Sequence, residues 1–135
     1  MANRKESFVI GEYYHIYNRG NSHQTIFFDD SDRNRFTKLL YLCNSRKNIN
    51  FRDDIVSQKI DVWDFDRGIP IISIGAWVLM PNHFHLYICI HPRLNLGKLG
   101  NEKEDEISVF MKKLGTAYSM YINKKHERTG GLSPT

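Results

Sequence analysis

Two apolar, strand-forming runs, Ile71 to Met80 and Phe84 to Ile90, are separated by little more than a Pro81-Asn82 break. Proline lacks a backbone N–H and asparagine favours turns, so the break predicts a tight strand-to-strand connection with His83 and His85 opening the second strand. A strand alternates its side chains between two faces, so His83 and His85 project together while Phe84 projects into the opposite layer. Two imidazoles above an apolar underside form a half-site for a divalent cation. The spacing alone is equally that of a structural or surface pair.

The rest of the chain supplies partners for such a hairpin. Tyr13 to Arg19 is aromatic and β-prone and runs into Gly20-Asn21-Ser22, which predicts a strand followed by a loop. Asp30 or Ser31 is expected to cap a helix reaching about Ser45, with Phe36, Leu39, Leu40 and Cys43 as its buried stripe. Residues 46–70 are polar and irregular, with Asp53, Asp54, Asp61, Asp64 and Asp66 among Ile60, Val62, Trp63 and Phe65, and read equally as a mobile insertion or a short hairpin. Pro92 to Asn101 forms a loop. A last helix from roughly Glu104 to Lys125 carries Ile107, Phe110, Met111, Leu114, Tyr118, Tyr121 and Ile122 on one stripe, ended by Thr129-Gly130-Gly131. The order β-α-(insertion)-β-β-α predicts an α+β fold, ferredoxin-like or RRM-like, with helices on one face of an antiparallel sheet.

At 135 residues the chain fits one domain, residues 1–135. No apolar run approaches the length needed to cross a bilayer, and the polar N-terminus lacks a signal core, so a cytoplasmic location and no membrane partner are expected. Cys43 and Cys89 suggest neither a disulfide framework nor a zinc knuckle. The net charge of +4 lies wholly in residues 111–135, because acidic and basic residues balance up to Phe110. Lys112, Lys113, Lys124, Lys125 and Arg128 could form a cationic edge for phosphates or a solvated helix face.

The segments Tyr14-His15-Ile16-Tyr17-Asn18-Arg19-Gly20-Asn21, Gln24-Thr25-Ile26-Phe27, Asp32-Arg33-Asn34-Arg35-Phe36, Trp77 to Leu86 with its Met80-Pro81-Asn82-His83-Phe84-His85 core, and Phe110 to Leu114 with Tyr118 to Asn123 together resemble the single-tyrosine HUH transposases of the insertion-sequence 200-like type, especially their REP-associated branch. The resemblance covers most of the chain outside residues 46–70. It implies that His83 and His85 bind a divalent metal, magnesium or manganese, which polarises a DNA phosphate. It further implies that a tyrosine attacks the phosphorus to leave a 5′-phosphotyrosyl link, with single-stranded hairpin ends as the DNA and a homodimer as the working form. Asn18 and Arg19 are then expected near the DNA backbone, with Arg19 as phosphate partner. His15, one histidine among aromatics, reads as a packing residue.

The pattern departs from the family at the nucleophile. The family tyrosine is followed about one helical turn later by a polar metal ligand, whereas Tyr118 is followed at that spacing by Ile122 and Tyr121 by Lys125. Tyr118 and Tyr121 are the in-chain candidates, and both also lie on the apolar stripe, where packing is the expected role. The branch's Tyr-Ile-x-x-Asn-Pro block would follow Gly130-Gly131-Leu132, but only Ser133-Pro134-Thr135 remain there. The attacking tyrosine is therefore expected beyond Thr135, and the chain is expected to bind metal and DNA with little or no cleavage. Two further functions fit the residues: an RRM-like nucleic-acid binding module stacking bases on Tyr14 and Phe84, and a metal hydrolase whose third ligand is Asp61, Asp64 or Asp66.

Overall fold

In the computed structural model, which describes residues 9–19, 24–90 and 105–127, three strands form one antiparallel sheet. They are β1 (Tyr13–Arg19), β2 (Ser73–Met80) and β3 (His83–Cys89), in the order β1-β3-β2. Two helices, α1 (Asp30–Cys43) and α2 (Glu106–His126), complete the main frame. The fold is α+β with β-α-β-β-α order, and β3 is central because it pairs with both neighbours.

The two faces of β3 are chemically distinct. Phe84, Leu86 and Ile88 are at most 1% exposed and sit in a core with Phe27, Phe36, Leu39, Leu40, Phe110, Leu114, Tyr118 and Ile122. Phe36, Leu39 and Leu40 come from α1 and Phe110 to Ile122 from α2, so both helices cover this one side. Burying each large side chain contributes about 1.5–3 kcal/mol, which makes this face the main source of stability. The opposite face, carrying His83, His85 and Tyr87, has no helix over it among the described residues.

Local chemistry sets the helix ends. Asp29, not Asp30 or Ser31, caps α1, its side chain accepting from Asp32 N at 3.0 Å. Asp105 caps α2 by accepting from Ser108 N at 2.7 Å, and α2 ends on Glu127 in the left-handed region, φ 50°. The Thr129-Gly130-Gly131 terminator and the Pro92 to Asn101 loop lie outside the described residues. Between α1 and β2, residues 46–70 form neither a hairpin nor any strand. They hold a short π-helix (Phe51–Val56) capped by Asn50 and a 3-10 turn (Val62–Asp64) capped by Asp61. Ile55 and Val62 pack with Leu42 in a second small core, which attaches the segment to the outer end of α1.

Asn44, at the C-cap of α1, ties that helix to the start of the hairpin. Its Oδ1 accepts from Ile71 N at 2.8 Å and Ile72 N at 2.9 Å, and its Nδ2 donates to Ile72 O at 2.9 Å, all in buried surroundings. Asn44→Ala leaves buried backbone groups unpaired and is expected to cost about 2–4 kcal/mol. Urea unfolding monitored by circular dichroism measures this, and a loss under about 0.5 kcal/mol, the range of ordinary surface substitutions, would show that the junction repacks.

Candidate metal and nucleic-acid face

Register places one file of chemistry-bearing side chains on the uncovered face. Tyr17 lies opposite His85, Arg19 opposite His83 and His15 opposite Tyr87 on β1, while Val78 and Met80 of β2 flank His85 and His83. Tyr17, half exposed, packs against both motif histidines, with ring centroids 5.4 Å from His83 and 5.0 Å from His85. Tyr13 and Tyr87 stack at 4.8 Å further along. A Cβ on Gly75, at the bulge in β2, would come within 3.0 Å of the Tyr13 ring, so the missing side chain makes room for that pair.

Each motif histidine is held through Nδ1. His83 Nδ1 lies 2.7 Å from Asn82 Oδ1, an oxygen that can only accept, so Nδ1 is the donor of this contact, and in the neutral ring that tautomer leaves the lone pair on Nε2. His85 Nδ1 lies 2.6 Å from His15 Nε2. Partial desolvation, and then the neighbouring His15 and His83, lower the His85 pKa below its ordinary value and favour the neutral ring. The His83 and His85 ring centroids are 5.2 Å apart at 84°. Two imidazoles sharing an ion at about 2.1 Å through Nε2, with tetrahedral to octahedral angles, have centroids roughly 5 Å apart. The pair therefore fits a divalent ion by spacing and by donor chemistry. Among the described residues no group of three His, Cys, Asp or Glu is arranged to hold a metal.

Several sequence expectations are corrected here. Asn18 and Arg19 do not share a face: Asn18 opposes Phe84 and is half-buried on the helix side, with Oδ1 buried and without a hydrogen-bond partner among the described residues, whereas Arg19 opposes His83 on the open face. Period two separates adjacent residues. Of the proposed stacking residues, Phe84 is 1% exposed and Tyr14 is packed against the core; the exposed aromatics on the histidine face are Tyr13, Tyr17 and Tyr87. Asp61, Asp64 and Asp66 belong to the segment packed on α1, on the helix side. Asp61 is spent on its cap, and Asp66 accepts from Gly68 N.

The α2 candidates are likewise structural. Tyr118 is fully buried with its hydroxyl donating to Ile26 O, and Tyr121 donates to Asp32 Oδ1 at 2.8 Å. Both lie beneath the sheet, across from the histidines, because the apolar stripe that carries them is the face α2 buries. The alternative position for a nucleophile, beyond Thr135, finds no test in the fold, since Thr135 and the Gly130-Gly131-Leu132 stretch before it lie outside the described residues. Lys113 donates to Ser45 O and Lys47 O, at 2.6 and 2.9 Å, satisfying carbonyls beyond the end of α1. Lys125 Nζ sits 2.6 Å from Asp32 Oδ1 and 3.0 Å from Asp29 Oδ2. Lys112 and Lys124 are exposed on α2, and Arg128 lies outside the described residues. Lys113 and Lys125 are thus engaged within the fold. The residue that sequence reasoning missed is His15, whose only signal was its place two residues before Tyr17 on the same strand face.

Comparison with family models, with curated proteins and with solved structures returned no match to this chain. No helix among the described residues is long and apolar enough to cross a membrane.

The Asp32 cluster has a pH signature. Burial alone would raise the Asp32 pKa, but donation by Lys125, by Phe28 N–H and by Tyr121 outweighs it and holds the carboxyl below its ordinary range. Lys125 is raised above its ordinary range, chiefly by its bond to Asp32. The Asp32 contribution is therefore complete above the ordinary carboxylate value of 3.8 and is lost as pH falls through the lower folded value. The Lys125 contribution is complete below 10.5 and is lost as pH rises beyond it. Asp32→Asn is expected to cost roughly 2 kcal/mol at pH 7, less than for a dry ion pair because Lys125 is partly solvated. It should also flatten the acid limb of melting temperature against pH. An unchanged acid limb in the variant would show that other carboxylates dominate.

Proposed function

We propose that the uncovered sheet face is a metal-assisted single-stranded DNA binding site, the binding half of an HUH-type transposition centre. The observation that carries the reading is the pair His83 and His85, side by side on the sheet face that neither described helix covers, each with a partner at Nδ1. The motif resemblance of Met80 to Leu86 and of Tyr14 to Asn21 supports the same reading.

His83 and His85 would hold the ion through Nε2; when bound, a magnesium or manganese ion supplies Lewis-acid polarisation of a backbone phosphate oxygen. Imidazole favours manganese over magnesium. Arg19, opposite His83 in the β1–β3 pairing, offers a bidentate contact to a neighbouring phosphate. Tyr17, between the two imidazoles and half exposed, offers its ring face to a base, and Tyr13 and Tyr87 extend that surface. Stacking of this kind tolerates any sequence.

Strand cleavage through a phosphotyrosine needs a nucleophile on the histidine face. Tyr118 and Tyr121 cannot supply it without unfolding α2 from the core, so neither serves this face as nucleophile. A metal-independent, RRM-like binding mode rests on the same three tyrosines and differs in its response to chelator.

Fluorescence anisotropy with a labelled single-stranded hairpin, with manganese or with EDTA, separates these. Manganese should tighten binding in the native protein and not in His83→Ala. Tyr17→Ala should weaken binding by about 1–3 kcal/mol, roughly 5- to 150-fold, under both conditions. Any covalent adduct seen on a denaturing gel should survive Tyr118→Phe and Tyr121→Phe. Binding indifferent to EDTA and to His83→Ala would leave the RRM-like mode alone. An adduct lost in Tyr118→Phe or Tyr121→Phe would overturn the assignment of those tyrosines to the core.

A further inference from the structure

His15 and His85 meet edge to edge. Their rings are 5° from coplanar with centroids 4.8 Å apart, and the Nε2 to Nδ1 separation is 2.6 Å. Parallel planes at that centroid distance would ordinarily suggest a face stack. The nitrogen separation plus the two ring radii accounts for the whole centroid distance, so the rings lie nearly in one plane with their nitrogens pointing at each other. This is the geometry of an N–H···N hydrogen bond.

The same distance is shorter than that between two nitrogens bound to one ion. Two nitrogens bound to one ion at about 2.0–2.1 Å, with an angle between them of at least a right angle, stand roughly 3 Å apart. A separation of 2.6 Å is that of an N–H···N hydrogen bond. His15 also approaches the side of the His85 ring that faces away from Nε2.

We propose that His15 is a positioning residue for His85: its Nε2 accepts the Nδ1 proton of His85, fixing the ring orientation and leaving the His85 Nε2 lone pair for a divalent ion. The inference rests on the metal reading above and adds a residue to it. Asn82 performs the same service for His83, so both ligands are oriented by an acceptor on Nδ1. Outer partners of this kind increase ligand basicity and remove the ring-flip freedom that binding would otherwise have to freeze. The contact spans 70 positions in sequence and depends on β1 and β3 being paired in their observed register. Metal affinity is thereby coupled to the docking of β1.

The test is manganese titration by calorimetry into metal-free wild type, His83→Ala, His15→Ala, His15→Phe and His15→Gln, each first shown to be folded. His15→Ala and His15→Phe should bind manganese 10- to 100-fold more weakly than wild type, the phenyl ring keeping the packing but offering no acceptor. His15→Gln, whose amide oxygen can accept the same proton, should bind within about threefold of wild type, on the scale of that outer-partner effect. Wild-type affinity in His15→Phe, or His15→Gln as weak as His15→Ala, would overturn the positioning role while leaving the metal reading intact. Equal binding by wild type and His83→Ala would remove the metal reading itself, and the positioning role with it.

Discussion

Everything in this structure depends on the alternation along β3. Phe84, Leu86 and Ile88 are buried almost completely, and His83, His85 and Tyr87 take the other face by default. A slip of one residue would carry the three apolar side chains into water and two imidazoles into the core, so the burial of the first set enforces the display of the second. The face the histidines occupy is set without contacts of their own, which serve only to orient the rings. Their placement is fixed by the hydrophobic effect acting on their neighbours.

The same division explains why Lys113, Tyr118, Tyr121 and Lys125 of α2 are engaged in holding the fold together. A helix that covers a sheet turns its apolar stripe inward, and any tyrosine or lysine at the edge of that stripe finds a buried acceptor. Tyr118 reaches Ile26 O, Tyr121 and Lys125 reach Asp32, and Lys113 reaches carbonyls beyond α1. Arg35 is held between the rings of Phe51 and Tyr121, at 3.9 and 4.4 Å from their centroids. These groups bind α1, α2 and the segment after α1 into one helical layer. The uncovered face is spared such duties, and its tyrosines, histidines and arginine are not needed to close the core.

What could be read from sequence was what depends on local period. β1 coincides with the expected strand, the hairpin break falls at Pro81-Asn82, and the helical stripes bury as their spacing requires. The same rule, applied strictly, would have parted Asn18 from Arg19 and set Phe84 aside as a stacking residue. The two turns in residues 46–70 carried a signal too: Asn50 and Asp61 are each followed by the helical segment they cap. Other features had no local signal. The contacts of Lys125 with Asp29 and Asp32 join residues more than 90 positions apart, and that of His15 with His85 joins residues 70 apart. Only the packed fold supplies the register that brings them together.

The composition of the open face bears on what an ion there could do. A site built from carboxylates neutralises its cation and presents negative charge to an incoming phosphate. Two neutral imidazoles leave the double positive charge intact, and Arg19 adds to it without competing for the metal, since a guanidinium has no lone pair to offer. Under the proposed reading, an oxygen of the nucleic acid itself completes the coordination. The ion is then held weakly by protein alone and more firmly when a strand lies across the face. Binding of metal and binding of DNA become linked equilibria, each raising the affinity of the other by the same factor. The sparse donor set is then the source of coupling between metal and strand.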